Sequence, residues 1–418
     1  MLPDIAVVVP TYWTREGGVA RAGDAVYDHP TAVDQDGTLG RLLGSLRRLD
    51  TDRFYVLILV AVTDPLVEDQ ARAKVDGIVG AVTGLTTLVV SQRDLPAMIG
   101  DSDEDLASTL LGMEQYSRVR NVQLAVPQIL GTRAVVGIDD DEVVVDPGFL
   151  DEALGHLETT VDGRIVEGVG GYYLQEDTGT IFLQTGPKSD PTGNIFDRKA
   201  ELMNEATEKL QRRAGSLVPT PFCFGGNMIF SRSLFSSVCF DPFITRGEDV
   251  DYLINARLTG RWFFMNKRLS ILHQPPSGGS YRDVAYHKVV QDVLRFVYER
   301  EKVAAAPRLG TDNLRVEDLM PYPGAFLTSR LDGDAEEVLD RIWATLDPGS
   351  RERLGLGSSI DSFMNEARYR AREGISQYAK VQAAWARLMV KLQSASTARD
   401  YLLTHVKLAG EVAGRAPV

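Results

Sequence analysis

Residues 135–150 read VVGIDDDEVVVDPGFL, an apolar segment that runs directly into four acidic residues and then returns to valine. The acids are Asp139, Asp140, Asp141 and Glu142. Neighbouring carboxylates repel one another, and a buried carboxylate is costly unless a cation accompanies it. The stretch therefore predicts either a turn solvated by water or a site that holds a metal ion.

The segments on either side of this stretch alternate between apolar and amphipathic. Strands are predicted at 5–10, 54–62, 86–91 and 134–139, and helices near 38–49, 66–82, 105–129 and 196–214. Each of these strands is apolar throughout, which indicates a parallel sheet covered by helices on both faces. Ligands of such sheets bind beyond the carboxyl ends of the strands. The acids therefore lie where an α/β sheet places its site.

The chain becomes helical from about residue 283, and residues 356–412 carry apolar side chains at helical spacing. We expect an α/β catalytic domain over 1–300 and a helical C-terminal extension over 301–418. The extension is expected to pack on the catalytic domain or to form a homodimer. Its mixed charge makes a membrane surface the least favoured partner.

Composition excludes several classes of protein. The 418 residues carry a formal net charge of −13, which argues against a nucleic-acid binder but leaves an anionic substrate open, because a metal ion and a few arginines invert the local potential. The longest apolar run, residues 54–62, is too short to span a membrane. The N-terminus has no basic region of a signal peptide, and two cysteines give neither a disulfide framework nor zinc spacing. A cytoplasmic protein is predicted.

Four motifs occur in the order seen in GT-A glycosyltransferases, in particular the family-2-like group, which this chain resembles. They are VVVPTYW at 7–13, IDDDEVVVDPGFL at 138–150, GGNMIFSRSLF at 225–235 and RGEDVDYLINARLTG at 246–260. The resemblance implies a Rossmann-like GT-A fold with a nucleotide-sugar half near 1–145 and an acceptor half near 146–300. It also implies transfer of a hexose from a nucleotide-diphosphate sugar to a carbohydrate or small hydroxylated acceptor.

The acidic motif suits Mn²⁺ or Mg²⁺, which are hard ions that prefer oxygen ligands. By the resemblance, Asp141 binds the metal directly, Asp139 contacts the metal or the ribose, and Asp140 lies at the nucleotide sugar. His273 is the expected third ligand, with a structural histidine as its alternative and His287 as its competitor. The histidines expected to be peripheral are His29, His156 and His405.

The resemblance assigns the general base to Asp249, with Glu248 as a neighbouring orienting residue. A base must take the proton from the acceptor hydroxyl in an inverting transfer. The alternative is an acidic first turn that is stabilised by the dipole of the following helix.

The nucleotide is expected to meet three groups of residues. By the resemblance, Pro10, Thr11 and Tyr12 pack on the base, and Asp64 reads its edge. Asp64 lies in VTDP rather than in the family's usual D-x-x-S-x-D, so the identity of the base is left open. The arginines expected at the base or phosphate are Arg93, Arg118 and Arg120; ordinary helix-surface charges are their alternative.

The acceptor is expected beside Gly225, Gly226 and Asn227, because glycine lets a backbone approach a ligand closely. The aromatic residues 262–264 are either a sugar-stacking wall or part of the core. The long loop 14–37 is expected to cover the nucleotide or the acceptor; its polar and aromatic residues include Arg15, Arg21, Asp24, Tyr27, Asp28 and His29.

Three other functions remain open from the sequence. The first is a retaining GT-A enzyme of the mannosylglycerate or glucosyl-phosphoglycerate synthase type. The second is a sugar-phosphate nucleotidylyltransferase, although PTYWTREGG at 10–18 is a poor version of its glycine-rich loop. The third is a non-catalytic nucleotide or sugar binder, which predicts the loss of a base or metal carboxylate.

Overall fold

The computed structural model describes residues 2–18, 26–100, 104–185, 190, 192–275, 282–309 and 314–408. Two residues of the predicted covering loop, Arg21 and Asp24, lie outside the described residues.

The described chain forms a mixed α/β fold. Its strands are β1 (Ile5–Thr14), β2 (Thr31–Ala32), β3 (Tyr55–Val62), β4 (Thr87–Ser91), β5 (Ala134–Gly137), β6 (Glu142–Val143), β7 (Thr160–Val161), β8 (Arg164–Ile165), β9 (Gly168–Gln175), β10 (Leu217–Pro219), β11 (Met228–Ser231), β12 (Phe263–His273) and β13 (Val406–Lys407). Its α-helices are α1 (Leu39–Leu46), α2 (Glu68–Ala81), α3 (Leu95–Ile99), α4 (Glu104–Leu110), α5 (Tyr116–Leu130), α6 (Phe149–Leu154), α7 (Lys199–Arg212), α8 (Arg232–Phe235), α9 (Glu248–Leu258), α10 (Arg282–Leu309), α11 (Leu331–Thr345), α12 (Pro348–Arg353), α13 (Ile360–Ser394) and α14 (Ser396–Thr404).

One large sheet organises the fold, with the strand order β10-β12-β9-β11-β5-β1-β3-β4-β13. Strands β5, β1, β3 and β4 are mutually parallel. Strand β11 is antiparallel to both β5 and β9, so the sheet is mixed beyond β5. Short strands β2 and β6 pair with β1 and β12. The predicted α/β fold, with a sheet flanked by helices, is confirmed.

Both faces of the parallel half are covered, which explains why its strands are apolar throughout. In β1, Ala6 and Val8 belong to a core that includes apolar residues of α5 and α13. Their neighbours Val7 and Val9 belong to the opposite core, with apolar residues of α1, α2 and α6. Alternate residues of a strand point to opposite faces of the sheet, so a strand buried on both faces needs no polar position.

The helix predicted at 105–129 is two helices, α4 and α5, separated at residues 111–115. Arg118 stabilises the break, because its guanidinium donates to the carbonyl of Leu111 at 2.9 Å and to Glu114 at 2.8 Å. The prediction of a single continuous helix was wrong, because the Arg118 side chain supplies a hydrogen bond to a backbone carbonyl where the helix is interrupted.

The C-terminal helices pack on the α/β core. Helix α10 runs without interruption through residue 300, the predicted domain boundary. Tyr378, Trp385 and Leu388 of α13 lie in the same core as residues of β1 and α5, and β13 pairs with β4. Among the described residues, no helix combines the length and the apolar character that a membrane crossing needs. The homodimer remains a prediction.

Candidate functional site

A cavity of about 370 Å³ lies beyond the carboxyl ends of β1 and β5 and beside the first turn of α9. It brings together residues that are far apart in the sequence. The predicted site residues that line it are Tyr12, Arg120, Asp139, Asp140, Asp141, Gly225, Glu248, Asp249 and His273. The fold therefore assembles the acidic motif, the Glu248-Asp249 pair and the late histidine in one place.

The three aspartates of the acidic loop have different partners. Asp139 accepts a hydrogen bond from the guanidinium of Arg120 at 2.7 Å, and Asp140 accepts one from the hydroxyl of Thr11 at 2.5 Å. Asp141 faces the imidazole of His273, with 3.5 Å between its oxygen and Nε2. Burial raises the pKa of Asp139 and of Asp140, and the neighbouring Asp141 raises both further.

A candidate metal centre is formed by Asp141, Glu142 and His273, whose ligand atoms all lie within 4.8 Å of one another. The antiparallel pairing of β6 with β12 places Glu142 opposite His273. Glu142 is fully buried, and neither of its carboxylate oxygens makes a well-formed hydrogen bond with the described residues. Burial raises the pKa of Glu142, and the nearby hydroxyl of Tyr173 partly opposes this. Tyr173 stacks on the imidazole, with 5.0 Å between the ring centroids.

This donor set fits Mn²⁺ or Mg²⁺, because it combines two carboxylates with an imidazole, and among the described residues Glu142 has no lysine or arginine within salt-bridge distance. Sequence reasoning named Asp139 and Asp141 with His273 and left Glu142 without a role. In the structure Glu142 joins the group, whereas Asp139 pairs with Arg120. The signal that could have identified Glu142 is its position as the fourth acid of the motif, directly before the valines at 143–145.

The Glu248-Asp249 pair forms the first turn of α9 after Gly247, which adopts a left-handed backbone with φ of 70°. Arg120 reaches Glu248 at 3.3 Å while it also binds Asp139, so one guanidinium joins the two acidic motifs. Burial raises the pKa of Glu248, and Asp249 raises it further against the opposing effect of Arg120. The acidic first turn thus faces the cavity and also lies where the helix dipole favours negative charge.

The glycines of the GGN motif let site side chains approach the backbone. A Cβ on Gly225 would lie 3.0 Å from Nη2 of Arg120, and one on Gly226 would lie 2.6 Å from the hydroxyl of Tyr173. The buried side chain of Asn227 donates to the carbonyl of Tyr172 at 3.2 Å. Gly225 lines the cavity, but contact of this motif with an acceptor remains a prediction.

Several residues predicted at the nucleotide do not line the cavity: Pro10, Thr11, Asp64, Arg93 and Arg118. Asp64 accepts from Arg15 at 2.7 Å and caps the short helical turn at Pro65–Val67. Arg93 pairs with the exposed Asp69 at 3.1 Å. These partners account for the charges in the described structure, and the nucleotide roles remain predictions.

The loop predicted to cover the site contributes Asp28 and His29 to the cavity lining. The expectation that His29 is peripheral is therefore wrong. Within this loop Tyr27 packs against Tyr12 and Tyr116, with ring centroids 4.3 and 5.0 Å away. The cavity lining also includes residues that sequence reasoning missed: Tyr116, Tyr173, Lys199, Met203, Cys223, Phe224, Arg246, Arg295 and Tyr322.

The aromatic residues at 262–264 are not a wall of this cavity. Phe263 and Phe264 are core residues. The ring of Trp262 lies between the guanidinium groups of Arg164 and Arg257, at 3.8 and 3.4 Å from their carbons to its centroid.

Comparison with solved structures returns proteins of low sequence identity. The chain is similar to the mannosyltransferase PcManGT from Pyrobaculum calidifontis, solved with GDP-Man and Mn²⁺, with 13% identity over 95% of this chain and 88% of that one and a TM-score of 0.44. It is also similar to glucosyl-3-phosphoglycerate synthase from Mycobacterium tuberculosis, solved with Mn²⁺ and UDP-glucose, with 17% identity over 70% and 79% of the two chains and a TM-score of 0.36. A third is S. aureus TarS 1-349 with UDP, with 13% identity over 92% and 91% and a TM-score of 0.34.

No protein-family model matches the chain, and no curated protein sequence matches it. At the identities and TM-scores given above, these likenesses do not identify the activity of this chain. Its function has to be inferred from its own side chains.

Proposed function

We propose that this protein is a metal-dependent glycosyltransferase that moves a hexose from a nucleotide-diphosphate sugar to a hydroxyl acceptor. The observation that carries the proposal is the meeting of two acidic groups in one cavity. Asp141, Glu142 and His273 form a donor set suited to a divalent cation; Asp141 and His273 line the cavity, and Asp249 lines it from the first turn of α9. The order of the four GT-A motifs supports the same function.

The chemistry requires a base, a leaving group and excluded water. The acceptor oxygen attacks the anomeric carbon, the bond from that carbon to the diphosphate oxygen breaks, and its electron pair leaves with the nucleoside diphosphate. The hydroxyl proton passes to the carboxylate of Asp249, which becomes a carboxylic acid. Attack from the face opposite the leaving group inverts the anomeric configuration.

The residues around these atoms orient them. Asp141, Glu142 and His273 would hold Mn²⁺ or Mg²⁺, which supplies positive charge to the diphosphate of the donor when bound. Arg120 keeps Asp139 and Glu248 at fixed positions on the two sides of the cavity. Tyr173 restricts the imidazole of His273 by stacking on it.

The proposal is tested by the thermal stability of the purified chain with UDP, GDP, ADP, TDP or CDP, each with and without Mn²⁺. A ligand that binds the folded state at a hundred times its dissociation constant stabilises it by about 2.7 kcal/mol, which is visible as a shift of the melting midpoint. We expect one nucleotide to produce the shift only with metal, and Asp141→Ala to abolish it. The absence of a shift with every nucleotide in the wild-type chain would overturn the proposal.

The role of Asp249 is tested separately with the nucleotide sugar whose base gave the shift. Asp249→Asn should keep the metal-dependent shift and lose about 10²- to 10⁴-fold in transfer rate, the usual contribution of a general base. The anomeric configuration of the product, read by NMR, distinguishes inversion from retention. A retained configuration would contradict Asp249 as the base and favour the retaining synthase.

A further inference from the structure

The wall of the cavity next to Asp249 is rich in cations that the proposed transfer has not used. Lys199 of α7, Arg246 of the turn before α9 and Arg295 of α10 all line it. They come from three elements, and Tyr322 lies beside them. Because these three cationic side chains come from different elements, only the tertiary fold brings them to one cavity.

Arg295 has an unused donor. Its side chain is 4% exposed, and its Nε donates to Glu299 at 2.8 Å. Its Nη2 is buried and makes no hydrogen bond with the described residues. A buried donor without an acceptor is unfavourable, so a ligand that accepts from this nitrogen gains binding free energy.

The turn before the Glu248-Asp249 pair is shaped around this guanidinium. A Cβ on Gly247 would lie 2.1 Å from Cζ of Arg295, so no other residue fits there without displacing the arginine. The left-handed backbone of Gly247 further favours glycine. The guanidinium is thereby held against the turn that carries the proposed base, Asp249.

The other two cations have one carboxylate each and remain partly open to the cavity. Lys199 pairs with Asp292 at 2.6 Å, and its side chain is 25% exposed. Arg246 pairs with Asp28 at 2.8 Å. Asp28 also accepts from Lys288 at 3.3 Å, so a single carboxylate serves two cations there.

The cations of this wall share few carboxylates. Lys199, Arg246, Lys288 and Arg295 pair with Asp28, Asp292 and Glu299. Of these residues, Lys199, Arg246, Arg295 and Asp28 line the cavity, and the proposed base Asp249 places a further negative charge near Arg295. An anion fits the unused guanidinium donor beside these cations, because a carboxylate or a phosphate accepts from arginine and neutralises it.

We propose that the acceptor carries an anionic group, a carboxylate or a phosphate, which binds to Arg295 and Lys199 with Arg246 nearby. Binding there directs a hydroxyl of the same molecule toward Asp249. This inference rests on the proposed glycosyltransferase function and names the class of its acceptor. The proximity of Arg295 to Gly247, two residues before the base, assigns the anion to the acceptor rather than to the diphosphate of the donor.

The test uses inorganic phosphate and acetate as probes on the full chain without metal, against chloride at the same ionic strength. We expect phosphate, acetate or both to raise the melting midpoint above the chloride control, and the more effective probe identifies the anionic group. Arg295→Gln should weaken that probe at least tenfold. Lys199→Gln, at a less buried position, should weaken it too, which keeps the test valid if Arg295→Gln folds poorly. Lys391→Met, at an exposed position of α13, is the matched control and should leave it unchanged.

Competition then separates the acceptor from the donor. The anion should still bind when the chain is saturated with the stabilising nucleotide and Mn²⁺. Displacement of the anion by the nucleotide would mean that the cations serve the diphosphate, and would overturn the inference. An intact nucleotide shift with no anion shift would also overturn it while leaving the proposed function standing; the loss of the nucleotide shift is the separate failure of that function.

The kinetic test compares glucose, glucuronate and glucose 6-phosphate as acceptors, since they share a ring and differ in charge. One of the charged sugars should have a KM at least tenfold below that of glucose. Lys199→Gln should remove most of that difference through KM while leaving kcat largely unchanged. Equal use of the three sugars by the wild-type chain would contradict an anionic acceptor.

Discussion

Two clusters of charged side chains lie on opposite sides of α9, and they differ in how their charges are balanced. Asp251 points away from Asp249, because residues two apart on a helix are separated by about 200°. It meets the fully buried Lys302, which donates to Asp251 at 2.6 Å and to Asn255 at 2.9 Å. Lys302 also pairs with Asp241 at 2.6 Å. Every charge of this Lys302 cluster has a protein partner.

The acidic loop on the cavity side is balanced differently. Among the described residues, Arg120 is the only permanently charged partner within salt-bridge distance of residues 139–142, and it binds Asp139. Glu142 is as buried as Lys302, but within the described part of the chain it has no cationic side chain as a partner. In the Lys302 cluster, the fold buries one lysine that pairs with both Asp241 and Asp251. In the acidic loop, the proposed divalent cation would supply the positive charge beside Asp141 and Glu142.

The largest expected effect on stability is in the Lys302 cluster. Lys302→Met leaves Asp241 and Asp251 buried without their cation, and should lower the free energy of unfolding by about 3–5 kcal/mol. Urea unfolding of the two chains measures it. Lys391→Met, an exposed lysine, should change it by less than about 0.5 kcal/mol.

A loss of less than about 1 kcal/mol in Lys302→Met would break the comparison, because the Lys302 cluster would then not depend on its cation.

In the acidic loop, removing a charged group should change the free energy of unfolding in the opposite direction. Without metal, Glu142→Gln removes a buried and unpaired carboxylate, so it should raise the free energy of unfolding by about 1 kcal/mol. Asp251→Asn is the same kind of change, from a carboxylate to an amide, in the Lys302 cluster and should lower the free energy of unfolding. Both are measured by urea unfolding in a chelator.

Adding Mn²⁺ sharpens this contrast. The wild-type chain should gain more stability from the metal than Glu142→Gln does, whereas Asp251→Asn should gain as much as the wild type. If Glu142→Gln destabilises the metal-free chain, the carboxylate is already compensated and the proposed metal centre loses a ligand.

Glu299 lies between the Lys302 cluster and the cationic wall of the cavity, since it accepts from Arg295 and lies close enough to Asp251 and Lys302 for their charges to act on it. Burial raises its pKa from 4.5 to about 7, partly opposed by Arg295. Between these two values the folded chain binds more protons than the unfolded chain, so stability falls as pH rises through this window and levels off above it. The slope from one such group reaches about 1.4 kcal/mol per pH unit.

Glu299→Gln keeps an acceptor for Arg295 and removes this titration. The stability of the variant relative to the wild type should rise by about 1–3 kcal/mol from about pH 4.5 to about pH 8. Unfolding measured across this range tests it. Parallel curves for the two chains would show that the carboxyl group of Glu299 titrates at its ordinary value.

The parallel half of the sheet and the acidic motif could be predicted because their signals are local. Strands buried on both faces are apolar throughout, and the acids follow the last of them directly. The cations could not be predicted in the same way. Arg295 and Lys302 belong to α10, whose many charged residues resemble a solvated surface in sequence, and only the tertiary packing of α10 against other elements buries these two.

An exposed ion pair on the surface of α13 shows how much burial contributes to the strength of such pairs. Arg370 and Glu366 are 2.6 Å apart, the distance that separates Lys302 from Asp251, but their side chains are 75% and 54% exposed. Water already solvates both charges, so Glu366→Gln should lower the free energy of unfolding by no more than about 0.5 kcal/mol. Urea unfolding measures the change, and about 1 M salt should remove it by screening. If Glu366→Gln lowered the free energy of unfolding as much as Lys302→Met does, distance rather than burial would set the strength of these pairs. The contrast between the Lys302 cluster and the acidic loop would then lose its physical basis.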